Sequence, residues 1–356
     1  MKKCLYYIIA FAVCPALTAR AYDDCRPCGN VSVSSIPYTF AVQFRALILK
    51  PSTSNLHYAA QATTLPAPSP RWTIYDIHPT YHFGFDLGVR SSLFNDCRSL
   101  GINWEHFNST SENSHTAPAP TDMIGPFFEI GPEATPYQNS TGRTKFNFNT
   151  VHVNVAQFVE FGNLETHFFG GVNFTSLKQT TTSFFSSTNG NTTRSIIAPI
   201  SFKGAGPEFG ACFDYDIFCG LSLSGKLAAA ILIGKRKNDT LFSSVSPVQP
   251  APPIGPITYP NLQTVITDKM TIVVPVFEQR IGAAYEARFW CTYTARLEVG
   301  YEARVYFNAL QQIDVGSEVS NVNAEVASVG VFARTFRNNV SNFALTGPYV
   351  AFNMTF

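Results

Sequence analysis

Apolar and polar side chains take turns along most of this chain, and the run from Thr292 to Phe307 shows the pattern at its cleanest. Tyr293, Ala295, Leu297, Val299, Tyr301, Ala303, Val305 and Phe307 fall on one face. Thr292, Thr294, Arg296, Glu298, Gly300, Glu302, Arg304 and Tyr306 fall on the other. A period of two means an extended strand, because successive side chains leave opposite faces of a sheet; a helix would scatter these apolar residues around its circumference. The run is too long, and too charged on one side, for a half-buried strand of a small sandwich. One face needs water and the other needs grease. A closed barrel in a membrane supplies both, with lipid outside and a polar lumen inside.

The same alternation predicts further strands. Over 38–49, Phe40, Val42, Phe44, Ala46 and Ile48 share a side. Over 81–91, Phe83, Phe85, Leu87 and Val89 oppose Gly84, Asp86, Gly88 and Arg90, and over 98–107, Leu100, Ile102 and Trp104 alternate with Gly101, Asn103 and Glu105. A strand over 145–160 changes its apolar parity between Phe148 and Val151, which predicts a bulge or an early end of the span. Strands at 164–176, 203–214, 221–234 and 272–288 follow, and the chain closes on a strand in which Val350, Phe352, Met354 and Phe356 alternate with Tyr349, Ala351, Asn353 and Thr355. Short connections near 92–97, 161–163, 215–220 and 289–291 alternate with long ones near 50–72, 108–144, 177–199, 236–268 and 308–341. Bacterial barrels combine short periplasmic turns with long external loops and an even strand number. The expected fold is therefore all-β: a transmembrane, antiparallel, up-and-down barrel of about 10 strands, or 12 if extra strand around Leu56 to Ala62 makes a hairpin of the first loop.

Composition agrees. Charged residues make up 14% of the chain, against about 25% in an ordinary soluble protein. Yet the mean hydropathy is only +0.03, as expected where alternation hides the apolar half. After the N-terminal region no segment reaches the roughly 18 uninterrupted apolar residues of a membrane helix. Lys2 and Lys3, the apolar run Leu5 to Leu17 and the small residues around Ala19-Arg20-Ala21 predict a secretory signal over 1–21. A periplasmic lead over 22–37 and a barrel over 38–356 complete the expected organisation. Cleavage removes Lys2, Lys3 and Arg20, so the formal +1, less three basic residues, becomes −2, and nothing suggests a nucleic-acid partner. Phe356, closing an alternating strand, looks like the assembly signal of bacterial outer-membrane barrels. The expected partners are outer-membrane lipid, the barrel assembly machinery and a second copy of the chain, held covalently or not.

The segments FKGAGPEFG, LAAAILIGK, VVPVFEQRIGAAYEA, LEVGYEARVYF and FALTGPYVAFN, all from about residue 203 onward, resemble the Legionella-type major outer-membrane protein family. That family consists of pore-forming barrels, found also in some chlamydia-related bacteria. The resemblance implies a location in the outer membrane of a Gram-negative bacterium and passive diffusion of small hydrophilic solutes or ions. The alternative is an adhesin or a disulfide-linked structural envelope protein.

On the predicted inner face stand Glu208, Lys226, Glu278, Arg280, Glu286, Arg288, Arg296, Glu298, Glu302 and Arg304. They read either as a pore lining whose mixed charge tunes selectivity or as a ladder of ion pairs in a narrow barrel. About ten strands leave a tight bore, since wide channels belong to roughly 16–18 strands. Of the six cysteines left after the signal, Cys97, Cys212, Cys219 and Cys291 map to short turns and Cys25 and Cys28 to the lead. Disulfides at the periplasmic rim are expected, with Cys212–Cys219 and Cys25–Cys28 as candidate pairs. The histidines lack metal-ligand spacing such as HExxH, there is no glycine-rich phosphate loop, and no Ser/His/Asp trio can be picked out. Neither a metal, a cofactor nor an enzymatic activity is expected. Asn-x-Ser/Thr triplets at Asn108, Asn191 and Asn238 are the chance yield of an Asn/Thr-rich chain.

Overall fold

The computed structural model describes residues 40–63, 72–93, 95–117, 122–126, 137–161, 163–187, 193–218, 220–245, 262–266, 268–289, 293–321 and 329–356. The predicted signal and lead lie outside the described residues. The elements are β1 (Phe40–Ser52), β2 (His57–Thr63), β3 (Trp72–Asp76), β4 (His82–Leu93), β5 (Asn95–Thr116), β6 (Asp122–Pro126) and β7 (Asn139–Phe161). They continue with β8 (Leu164–Ser186), β9 (Thr193–Phe218), β10 (Leu221–Val245), β11 (Leu262–Ile266), β12 (Met270–Phe289), β13 (Tyr293–Asn321) and β14 (Val329–Thr355). Ten of them form a closed antiparallel ring in the order β1-β4-β5-β7-β8-β9-β10-β12-β13-β14, and β14 pairs back onto β1 from Ala41↔Thr355 to Ser52↔Ala344. Closure leaves no ring strand unpaired, as a backbone in hydrocarbon requires. The short connections β4–β5, β7–β8, β9–β10 and β12–β13 share one end of the ring with Phe40 and Phe356, whose backbones exchange hydrogen bonds of 3.3 and 2.8 Å.

The outward side chains form an apolar belt. Phe44, Ile102, Phe174, Phe209, Ile233, Ile281 and Phe352 are all exposed, Phe209 to 62%. So much apolar surface has no place in water and fits lipid. In the β9–β10 turn Gly220 holds φ at +83°, where a Cβ is strained. Gly220→Ala should cost about 1–2 kcal/mol in urea unfolding from detergent micelles, with the folded spectrum unchanged. A loss below a few tenths would show that the turn relaxes freely.

Three expectations need correction. First, β7 has no bulge: it pairs with β8 without interruption from Asn139↔Ser186 to Phe161↔Leu164. The parity change arises because Phe146 and Phe148 point inward and are fully buried. Second, much of the sequence assigned to long loops is strand. β5 runs to Thr116, β8 to Ser186 and β10 to Val245, and β13 and β14 pair as far as Asn321↔Val329. A spanning strand needs only about 9–11 residues, so these extensions stand beyond the bilayer. With water on their outer face, they lack the apolar alternation that marks the lower half. Third, the extra strand near Leu56 to Ala62 exists as β2, but it pairs with β3 and β6 in a separate three-stranded sheet, so the ring stays at ten. The small sheet and the connections flanking β2 and β3 place Leu56, Tyr58, Ala59, Ile77 and Ile124 in one buried cluster with Leu49, Phe146, Phe185 and Phe343 of the ring, which closes the loop end of the bore.

Candidate functional site, the bridged lumen

Two storeys of inward side chains cross the ring, and further buried polar residues, among them Gln179, Arg236, Asn238 and Gln311, stand toward the loops. The lower, nearer the short turns, is polar. Arg45 follows outward Phe44 on β1 and therefore points inside. It binds Asp86 of β4, reaches Glu302 of β13 at 3.0 Å and lies 3.9 Å from Glu105 of β5. Arg304 of β13 makes a two-pronged bond to Glu105, 3.0 and 2.9 Å, and stands 3.4 Å from Glu278 of β12. In the ring, β13 and β5 are separated by β14, β1 and β4, so this fork crosses the bore. Lys226 of β10 bonds Glu278 at 2.7 Å, and His152 of β7 bonds Glu208 of β9 at 2.6 Å. Closer to the turns, Arg296 binds Asp214 and lies 3.5 Å from Glu298, which Arg280 approaches at 3.8 Å.

Tyr349 donates to Glu298, with the Arg280 guanidinium 5.4 Å from its ring centre. Gly282 and Gly300 give the phenol its place: a Cβ on either would come within 2.7 or 2.6 Å of Tyr349 Oη. Asn103 donates to Asp86 at 3.4 Å. On the turn side of this belt is a cavity of about 50 Å³, lined by Gln43, Arg90, Asn154, His167, Phe169 and Cys212 and by the belt residues Arg45, Asp86, His152, Lys226 and Arg280.

The upper storey is mainly apolar, against the expectation of a polar lumen. Phe148 and Phe146 of β7 meet Tyr306 of β13 and Phe343 of β14 with ring centres 5.5–6.1 Å apart. Leu47, Leu49, Phe107, Leu177 and Phe202 join them. The bore is thus crossed twice, by ion pairs and by aromatic rings.

Of the residues singled out from sequence, Glu208, Lys226, Glu278, Arg280, Arg296, Glu298, Glu302 and Arg304 meet in the belt. Glu286 is on the same inner face of β12, and Arg288 lies in β12 too. Sequence reasoning left Arg45, Asp86, Glu105, His152, Asp214 and Tyr349 off the charged set. The parity rule already put Asp86, Glu105 and Asp214 inward, and it would have found Arg45 between Phe44 and Ala46. His152 was hidden by the apparent slip in β7.

The cysteines are placed only in part. Cys212 is on the inner face of β9, beside the cavity, and bonds no other cysteine among the described residues. The candidate pairs Cys212–Cys219 and Cys25–Cys28 each include a residue outside the described ones. Cys97 belongs to β5, near its turn end. Cys25, Cys28, Cys219 and Cys291 lie outside the described residues.

Comparison with known proteins gives a family match over nearly the whole chain. The family described as Legionella pneumophila major outer membrane protein precursor matches residues 32–356. No curated protein sequence matches. Among solved structures, the outer membrane protease OmpT from Escherichia coli aligns over 91% of this chain and 99% of its own, at 9% identity and a TM-score of 0.43. A Pseudomonas aeruginosa FadL homologue aligns over 90% of each chain at 7% identity and a TM-score of 0.24. The toluene transporter TodX of P. putida aligns over 90% of each at 9% identity and a TM-score of 0.19.

Proposed function

The chain belongs to the Legionella major outer membrane protein family and resides in the outer membrane of a Gram-negative bacterium; from that membership we propose that it is a porin-like, non-enzymatic channel for small hydrophilic solutes or ions, closed in the conformation described. The observation that carries this reading is the charge belt beside a polar cavity. Burying ion pairs is a poor way to fill space, because well-packed apolar side chains of similar volume are often as stable or more so. The chain itself fills the next storey with Phe, Leu and Tyr. A belt that is hydrated in the open state explains the choice of charges. Arg45 Nε and Arg304 Nε are buried without a hydrogen-bond partner among the described residues, and a wet lumen would satisfy both.

The aromatic storey then acts as the gate, an apolar constriction that excludes water until it is displaced. Cations and carboxylates interleave around the belt, so the open path should discriminate weakly between small cations and anions. A second reading, a sealed structural barrel, is favoured by the double bridging itself. Planar-bilayer recording of the pure, folded chain separates them. Discrete openings from a mostly closed baseline are expected of the channel, and a flat trace across the voltage range would leave the structural reading.

A further inference from the structure

We propose that the outer wall over β7–β10 binds a phosphorylated glycolipid of the outer leaflet, with its phosphates on a lysine band and its acyl chains in the groove beneath. Lys145, Lys178, Lys203 and Lys235 are exposed and sit one on each of four consecutive strands. Lys203 and Lys235 are directly opposite across the β9–β10 ladder. Lys178 pairs with Asn147 and Ser201, which makes it the diagonal neighbour of both Lys145 and Lys203. None of the four takes part in an ion pair or side-chain hydrogen bond among the described residues. The nearest outward carboxylate above them on β10, Asp239, is held by Lys237. Like charges placed opposite each other in a ladder repel, so an unneutralised row of this kind favours an anionic occupant.

The level below is entirely apolar. Val151, Phe174, Ala205, Ile233 and Val273 follow one another around five strands as successive ladder partners. The next level toward the loops is Asn149, Ser176, Lys203, Lys235 and Thr271. The two rows are two residues apart, about 7 Å along a strand. Small Ala205 between tall Phe174 and Ile233 opens a groove of about 650 Å³ that both rows line. The loops lie on this side, so the groove faces the outer leaflet. Cationic heads directly above an apolar trough match an amphiphile whose phosphates sit where its acyl chains begin. A soluble anion would have no use for the trough, and a neutral lipid none for the lysines.

The test uses the full-length chain folded in dodecyl maltoside, with native mass spectrometry counting the lipid retained. The probes are bis-phosphorylated lipid A, the same lipid without phosphates, and inorganic phosphate alone. The native chain should retain the bis-phosphorylated form. Lys203→Glu with Lys235→Glu should cut retention at least about tenfold, and the milder Lys203→Gln with Lys235→Gln pair should cut it too. All variants should keep the heat-modifiable gel mobility of a closed barrel. Lys50→Glu, the same charge reversal on the outer face of β1 beyond Ile48, should leave retention unchanged. Equal retention of the dephosphorylated lipid, an equal loss with Lys50→Glu, or binding of inorganic phosphate without lipid would each overturn the assignment.

Discussion

Arg304→Ala should destabilise the barrel by about 3–5 kcal/mol, the usual penalty for removing one partner of a buried ion pair. Arg304 is 2% exposed, and it alone among the described cations grips both oxygens of fully buried Glu105 while also approaching Glu278. Without it, Glu105 keeps only Arg45 at 3.9 Å, whereas Glu278 still has Lys226 at 2.7 Å. The loss should therefore fall mainly on Glu105. Urea unfolding in detergent micelles, followed by tryptophan fluorescence, reads it. Replacing both ends together, Arg304→Met with Glu105→Leu, should recover most of the lost stability, because an apolar pair leaves no orphaned charge. A single-variant effect under about 1 kcal/mol would mean that the belt is already wet and screened in the resting state.

Removal of the aromatic storey should have its largest effect on conduction. Phe148→Ala with Phe343→Ala deletes two fully buried rings that meet across the bore. Buried Phe→Ala changes cost about 3–5 kcal/mol each. If the open state has already parted these rings, much of that loss falls on the closed state alone. An excess of even 1.4 kcal/mol raises the open population tenfold. The expected result is at least a tenfold longer open time in planar bilayers. Stability alone should suffer if the storey is only structural, and an unchanged current from a folded variant would remove the gate from the channel reading.

Much of this arrangement could be read in the sequence because the belt obeys strict parity. Phe44, Arg45 and Ala46 announce which way Arg45 points, and the charged face of β13 was visible from Arg296 to Arg304. What alternation cannot convey is partnership across the ring. Arg45 and Glu302 are 257 positions apart, and Arg304 and Glu105 are 199 apart. Nor can it distinguish an inward Leu from an outward one where both faces are apolar. Leu47 and Leu49 flank Ile48, and Phe148 lies close to Val151, so a filled interior imitates a slipped register. The three-stranded cap was beyond reach for a related reason: β2, β3 and β6 are seven residues or fewer and owe their shape to the cluster they cover.

The seam between β1 and β14 has a kinetic consequence. Its partners, such as Ala41 and Thr355, are the most distant in the sequence, so this ladder carries the largest loop-closure entropy and should be the last to zip. Until it does, the growing sheet has two raw margins able to recruit a stranger's strand. Safe biogenesis of this cylinder therefore depends on whatever shields those margins before the ends meet.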